Sequence, residues 1–404
     1  MKTITQKIGW VTGLLGLSMF FASLVSIWLA RSLSTQAFGE FSLMRSLILF
    51  LPTLAIWGQD IAVTTFFARD HPGRYQWTQL LRRVLFASAV IGAISVVVSG
   101  LIYDLKPYQW ICLLLAILIT CSTLLLSSLF RSMRRYRTAV LMSSAFRGLF
   151  LFVVAFLWAT KRLGADTAII GYTLTLLVTG LFNIYLAHRS MPIGKDPVPA
   201  ELHKTGLIYM GIGLVVNVLV SLDALVISKV LGNETLAIFS ATTVPAQIFS
   251  IISHAAKIVW VPEFGRSVHV SLNAYGRKII VLAFFLMIAV AAAAQPIMRL
   301  LYDGKYDSGI FLLQILSLAG LLRLINGLSS SFIMGRFTDR GLAIYLAITL
   351  TIMLFYIPGL YFALRGLGVI GAGYALAVQL AIRVAVGYFL IGYGGGRQKP
   401  WLRR

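Results

Sequence analysis

The sequence predicts an all-α polytopic membrane protein of about twelve transmembrane helices, in two six-helix lobes with pseudo-two-fold symmetry around a central cavity. Three observations predict it. Hydrophobic residues make up 59% of the 404-residue chain and charged residues only 12%, too few to cover a soluble surface of this size. Apolar runs of roughly twenty residues, the length that crosses a hydrocarbon core, recur from end to end. A polar stretch with three prolines near the middle separates six such runs from six more.

Each run reads as a helix, because backbone polar groups cannot be left open in hydrocarbon. The first, 9–30, follows Lys2 and Lys7 but is too long for the apolar core of a signal peptide. It also ends without a small-x-small cleavage site, so it is expected to remain as the first span. Runs at 41–66, 84–104, 108–130, 138–159 and 167–188 complete the first half. Pro52 interrupts 41–66, and Trp57-Gly58-Gln59-Asp60 loosens it further. Both cysteines, Cys112 and Cys121, fall in 108–130 and read as apolar filler. The linker, 189–205, carries Pro192, Pro197 and Pro199. Six further runs lie at 206–228, 235–262, 279–301, 309–335, 342–363 and 369–392, Pro245 interrupting the second of them. The expected organisation is therefore a lobe at 1–188, a cytoplasmic linker at 189–205, a second lobe at 206–392 and a basic cytoplasmic tail at 393–404.

The chain carries 35 Lys and Arg against 13 Asp and Glu, a net charge of +22. In a soluble protein that excess would point to nucleic acid; here no basic domain lies outside the spans to hold one. Retention of cationic loops on the cytoplasmic side accounts for most of it. Alternate connections carry 22 and 8 of the Lys and Arg residues, which places both termini in the cytoplasm.

The two halves share a weak repeat. Leu33–Ser42 reads LSTQAFGEFS and Leu231–Ser240 reads LGNETLAIFS, with Arg31 and Lys229 at equivalent positions. Six spans per half keep the repeats in one orientation, as in transporters whose site lies between two lobes. No connection is long enough for a catalytic domain, and there is no phosphate-binding loop, zinc-ligand spacing or paired loop carboxylates. Gly366, Gly368 and Gly371 match a dinucleotide fingerprint in form only, and serve a turn and close packing instead. Neither an enzyme, a cofactor nor a metal is expected.

Seven ionisable residues fall inside the runs: Arg45, Asp60, Arg147, Asp223, Lys257, Arg323 and Arg383. A charge at the bilayer centre costs about 3 kcal/mol even on the lenient insertion scale, so each needs a partner or a wet cavity. Five are positive and two negative, so internal carboxylates cannot neutralise them all. An anionic substrate could. Arg147, Arg323 and Arg383 lie near the middles of their runs, beyond easy reach of the surface. Arg45, about one turn into 41–66, and Lys257, near the end of 235–262, are placed to extend to an interface. Asp60 and Asp223 are candidates for charge pairing or for ion coupling. The planar guanidinium fork suits an anionic group with several acceptor oxygens.

The stretch from Ala30 to Arg69 carries a recognisable pattern: Ala-Arg ending the first span and Phe-Gly-x-Phe at Phe38–Phe41. Gly58-x-x-x-Ala62 and a closing Phe67-Ala68-Arg69 complete it. It resembles the N-terminal part of Wzx-type polysaccharide flippases of the multidrug/oligosaccharidyl-lipid/polysaccharide exporter superfamily. The resemblance implies a bacterial inner-membrane protein that carries undecaprenyl-diphosphate-linked repeat units of O-antigen, capsule or exopolysaccharide by alternating access. It implies as partners the lipid-linked oligosaccharide, membrane lipids, a polysaccharide polymerase and a chain-length regulator. A multidrug or other lipid exporter of the same superfamily, and less readily a membrane-embedded polymerase, are the alternatives.

Overall fold

A computed structural model of the chain describes residues 2–67, 75–191, 194, 196–197, 202, 221–266, 272–337 and 339–393. Its helices are α1 (Lys2–Ser32), α2 (Thr35–Ala55), α3 (Gln59–Phe66), α4 (Trp77–Tyr103), α5 (Pro107–Ser132), α6 (Tyr136–Ala159) and α7 (Ala165–Ser190). After them come α8 (221–231), α9 (Asn233–Arg266), α10 (Leu272–Ala292), α11 (Ala294–Tyr302), α12 (Ile310–Arg336), α13 (Asp339–Leu367) and α14 (Val369–Tyr393). The fold is all-α. Among the described residues ten helices are long and apolar enough to cross a membrane, and α10 with α11 makes an eleventh if that bent pair is one span. The remaining expected span, 206–228, falls mostly outside the described residues.

The helices follow one another through tight turns, most of them closed by a single left-handed residue. Asp104, Arg134, Lys161 and Asp303 adopt φ between 49° and 59°, and Gly232 and Gly368 take φ of 85° and 61°. One such residue is enough to reverse the chain and satisfy the last free carbonyls of a helix. The repeat seen in the sequence is a repeat of structure. α2 begins at Thr35 and α9 at Asn233, the same position in LSTQAFGEFS and LGNETLAIFS, and the first-turn bonds Phe38 N to Ser34 O (2.9 Å) and Leu236 N to Gly232 O (3.2 Å) are equivalent.

Contacts divide the chain into two compact units, Met1–Leu225 and Val226–Arg404. The boundary falls inside the seventh hydrophobic run rather than in the 189–205 linker, of which only part is described. In the first unit α5 is the hub, packed against α2, α3, α4, α6 and α7; in the second the hub is α12, packed against α9, α10, α11, α13 and α14. Each hub is the fourth expected span of its half. Close approach onto them uses glycine: a Cβ on Gly180 of α7 would lie 2.1 Å from Ile119 of α5, and one on Gly320 of α12 would lie 2.4 Å from Phe249 of α9.

Three local expectations are corrected. The run 41–66 is two helices: Trp57 and Gly58 are left-handed (φ 58° and 64°) and separate α2 from α3. Broken backbone is tolerable in a membrane only when its carbonyls find donors. Here Ile56 N (2.9 Å) and the Cys121 thiol (3.6 Å) donate to Pro52 O, and the Ser88 hydroxyl donates to Ala55 O (3.0 Å). Cys121 is thus a donor as well as filler. Conversely, α9 runs through Pro245 without a break. The run 279–301 bends by 60° between α10 and α11.

At one end of the first unit a polar network ties three elements. Lys106 Nζ lies 3.1 Å from Asp166 on α7 and 3.9 Å from Glu40 on α2, and Tyr108 donates to the same Asp166 oxygen. The bond to Asp166 holds the exposed Lys106 ammonium more basic than an ordinary lysine. Such exposed pairs contribute little to stability.

The α13–α14 turn gives a direct test of the glycine reading. A Cβ on Gly371 would lie 2.1 Å from the carbonyl oxygen of Ala363, a backbone atom that cannot move aside, whereas Gly366 has nothing within 4 Å. Gly371→Ala is expected to destabilise the protein by about 2 kcal/mol, while Gly366→Ala is neutral. Thermal unfolding of the detergent-extracted variants, followed by monodispersity, measures both.

Candidate functional site: arginines held by serines

The structure gathers two of the sequence-selected arginines in the first unit. Arg45 is eleven positions along α2, which starts earlier than the expected run, so the reading that placed it one turn into its span is corrected. Its Nη1 donates to Ser26 Oγ on α1 at 2.7 Å. Arg147, mid-way along α6, donates from Nη1 to Ser18 Oγ at 2.9 Å, two turns earlier on the same helix. Both serines are buried, at 5% and 1% exposure for Ser18 and Ser26, and Ser26 passes its own proton to Ala22 O at 2.8 Å.

The two guanidinium groups lie near enough to act on each other and on Tyr172 of α7. Tyr172 is buried among aromatic rings, edge-on to Phe41 (6.0 Å), Phe146 (5.9 Å) and Phe150 (4.9 Å). The Arg147 guanidinium sits 5.5 Å from the centre of the Phe146 ring. Four helices thus present two half-buried cations, a phenol and an aromatic wall. Among the described residues no carboxylate pairs with either arginine. Serine hydroxyls supply lone pairs but no charge, so the like-charge repulsion is left standing. Chemically, two guanidinium groups beside an aromatic wall leave positive charge that no internal carboxylate offsets among the described residues.

In the second unit Arg323 of α12 donates from Nη1 to Ser250 Oγ on α9. α12 and α14 run side by side in the same direction, Gly373 against Leu312 and Ile315, Gly387 against Ser329. That register puts Arg383 of α14 at the height of Arg323. The Arg383 Nε is buried without a hydrogen-bond partner, and so are Asn326 Oδ1 on α12 and Gln379 Nε2 on α14. Arg383 and Gln379 on α14 and Asn326 on α12, each within about one turn of that height, therefore carry polar atoms whose hydrogen-bonding capacity is unused.

The other candidates lie apart from these groups. Asp60 occupies the first turn of α3; its carboxylate accepts from the Ile61 amide and feels the charge of Arg131 on α5. Arg131 reaches Ser127 at 3.1 Å. Asp223 is buried on α8. Lys257 belongs to α9, but its side chain is outside the described residues. Sequence reasoning missed Tyr172, the serine acceptors Ser18, Ser26 and Ser250, and the amides Asn326 and Gln379. Serine is too common in membrane helices to signal a partner. The one available clue was four-residue spacing, Gln379 one turn before Arg383.

No family model and no curated protein matches the sequence. Solved structures do match, over almost the whole chain. An inward-facing multidrug resistance MATE family transporter of the MOP superfamily aligns at TM-score 0.65 and 17% identity, covering 92% of each chain. An outward-facing multidrug resistance MATE family transporter of the same superfamily aligns at 0.61 and 15%, covering 94% of this chain and 92% of that one. A mutant of the Vibrio cholerae MATE transporter VcmN aligns at 0.58 and 15%, covering 95% and 94%. The chain has a MATE transporter fold. At these identities the likeness is one of architecture, and it gives the two-lobe arrangement expected from the repeat.

If the Arg45–Arg147 cluster receives anions, pyrophosphate will stabilise the detergent-purified protein against heat at constant ionic strength. Ligand at ten times its dissociation constant contributes about 1.4 kcal/mol. The double variant Arg45→Gln/Arg147→Gln is expected to lose that shift, and an undiminished shift would move the receptor elsewhere.

Proposed function

We propose that this chain is a membrane exporter whose substrate carries a negatively charged head group, and that it flips an undecaprenyl-diphosphate-linked oligosaccharide to the far leaflet. The observation that carries this reading is the pair of half-buried arginines, Arg45 and Arg147, hydrogen-bonded to neutral serines, with no carboxylate partner among the described residues, beside Tyr172. A diphosphate would supply the missing negative charge to two guanidinium forks at once. The aromatic rings around Tyr172 suit sugar faces and apolar groups. Arg323 and Arg383 offer a second cationic station, with Asn326 and Gln379 amides for hydroxyl groups. The MATE-type fold supports alternating access, in which the free-energy barrier for moving a charged, hydroxyl-rich head is lowered without covalent chemistry. Cytoplasmic termini and an inner-membrane location belong to the same proposal, as do Asp60 and Asp223 as charge-pairing or ion-coupling groups.

A second reading, multidrug export, fits the structural neighbours at least as well, since those are described as multidrug resistance transporters. A cationic drug would meet repulsion at Arg45 and Arg147, so under this reading the drugs are neutral or anionic.

Complementation of surface polysaccharide in a flippase-deficient host separates the two. Arg147→Gln and Arg45→Gln are expected to lower polysaccharide at least tenfold at normal membrane levels, with lipid-linked intermediate accumulating. Arg147→Lys should retain part of it, since charge persists without the fork. Normal polysaccharide from all variants, together with drug resistance conferred by the wild type, would replace the first reading with the second.

A further inference from the structure

The break between α2 and α3 does more than bend the chain. A cavity of about 220 Å³ lies against it, lined by Ala55, Ile56, Trp57, Gln59, Arg83 and Ala87 among others. Its wall is apolar except for two groups. Arg83, on the first turns of α4, is exposed at the surface. Gln59 is only 1% exposed, yet neither its Oε1 nor its Nε2 has a hydrogen-bond partner. A buried amide with both ends unused is unfavourable unless another molecule completes it. Trp57 at the rim is the residue type that settles at membrane–water interfaces.

α4 continues the cavity as a track. Arg83, Ala87, Val90, Ile94 and Leu101 recur on one stripe of the helix, and Val90, Ile94 and Leu101 are 49%, 61% and 72% exposed. From Arg83 to Leu101 the stripe is roughly 27 Å long at 1.5 Å per residue, close to the thickness of a hydrocarbon core. An exposed cationic group and an apolar crevice, with the incomplete Gln59 amide buried behind its wall, thus adjoin a continuous apolar stripe.

We infer that this crevice is a binding site for an anionic phospholipid, its phosphate on Arg83, its glycerol-ester region at Gln59 and an acyl chain along the α4 stripe. The chemistry is that of basic pockets between membrane helices that hold acidic lipid head groups. The carboxylate nearest in sequence, Asp60, is engaged by the Ile61 amide and the Arg131 charge. The site belongs to the first unit alone and does not depend on what the protein transports.

Native mass spectrometry of the detergent-purified full chain with equimolar dioleoylphosphatidylglycerol and dioleoylphosphatidylcholine tests the inference. The wild type is expected to retain phosphatidylglycerol preferentially. Arg83→Gln should weaken it roughly fivefold, and Ala87→Phe, which fills the crevice without changing charge, should displace it. Arg82→Gln, an exposed arginine that does not line the cavity, should leave binding intact. Equal retention of both lipids, unchanged binding by Arg83→Gln, or a loss in Arg82→Gln as large as in Arg83→Gln would overturn the site, the last by showing diffuse surface attraction. Arg83 is on the surface, so its variant remains informative even if Ala87→Phe fails to fold.

Discussion

The constraint on which the structure turns is the placing of guanidinium groups in a low-dielectric interior that holds few carboxylates. A single arginine in the middle of a membrane helix costs about 3 kcal/mol, and a hydrogen bond from a charged donor returns about 1.5–3 kcal/mol. Arg45 with Ser26, Arg147 with Ser18 and Arg323 with Ser250 are each close to balanced on those terms. The balance fails where two arginines share a site. At an effective dielectric of about 20, unit charges several ångströms apart repel by about 2–3 kcal/mol. In the Arg45–Arg147 cluster no internal anion offsets that repulsion among the described residues, so it is available to draw in an external one.

The rest of the fold supplies the positions. Serine acceptors stand at Ser18 and Ser26 because α1 lies along α6, with Trp28 against Trp158 at one end and Trp10 near Arg137 at the other. α2 must also come near α1, and the left-handed residues at its far end let the chain turn into α3 without leaving Pro52 and Ala55 carbonyls bare. Glycines at the hubs set the spacing: Gly180 on Ile119 and Gly320 on Phe249 bring helices nearer than side chains would allow. The arginines are therefore held by a scaffold whose closeness is a backbone property.

Much of the architecture was legible. Hydrophobic runs, the repeat and the glycine turn at Gly366–Gly371 each gave an element that the structure contains. Arg147, Arg323 and Arg383 could be singled out because charge in an apolar run is rare enough to carry meaning. Arg45 was misplaced because the polar opening of α2, TQAFGE, lacks the hydropathy that marks a span although it is helical. Pro245 misled in the opposite sense: proline disfavours a helix locally, but neighbouring packing keeps α9 continuous. Tyr172 and the serines could not have been chosen, because their roles depend on which helices touch, and that is a long-range property.

The repeat is one of backbone more than of chemistry. Both second helices begin in the same register, and both fourth helices are hubs, yet the cations do not superimpose. In the first half they sit on the second and fifth spans, Arg45 and Arg147; in the second half on the second, fourth and sixth, Lys257, Arg323 and Arg383. Aromatic rings surround the first group and amides accompany the second. A repeated backbone frame does not require repeated side chains, and identical chemistry in both halves would suit a symmetric ligand. A lipid-linked saccharide is markedly asymmetric, with a diphosphate, hydroxyl-rich rings and a long apolar tail. Under the proposed function, so asymmetric a substrate is served by side chains that differ within a repeated frame, as the aromatic rings of the first half and the amides of the second do.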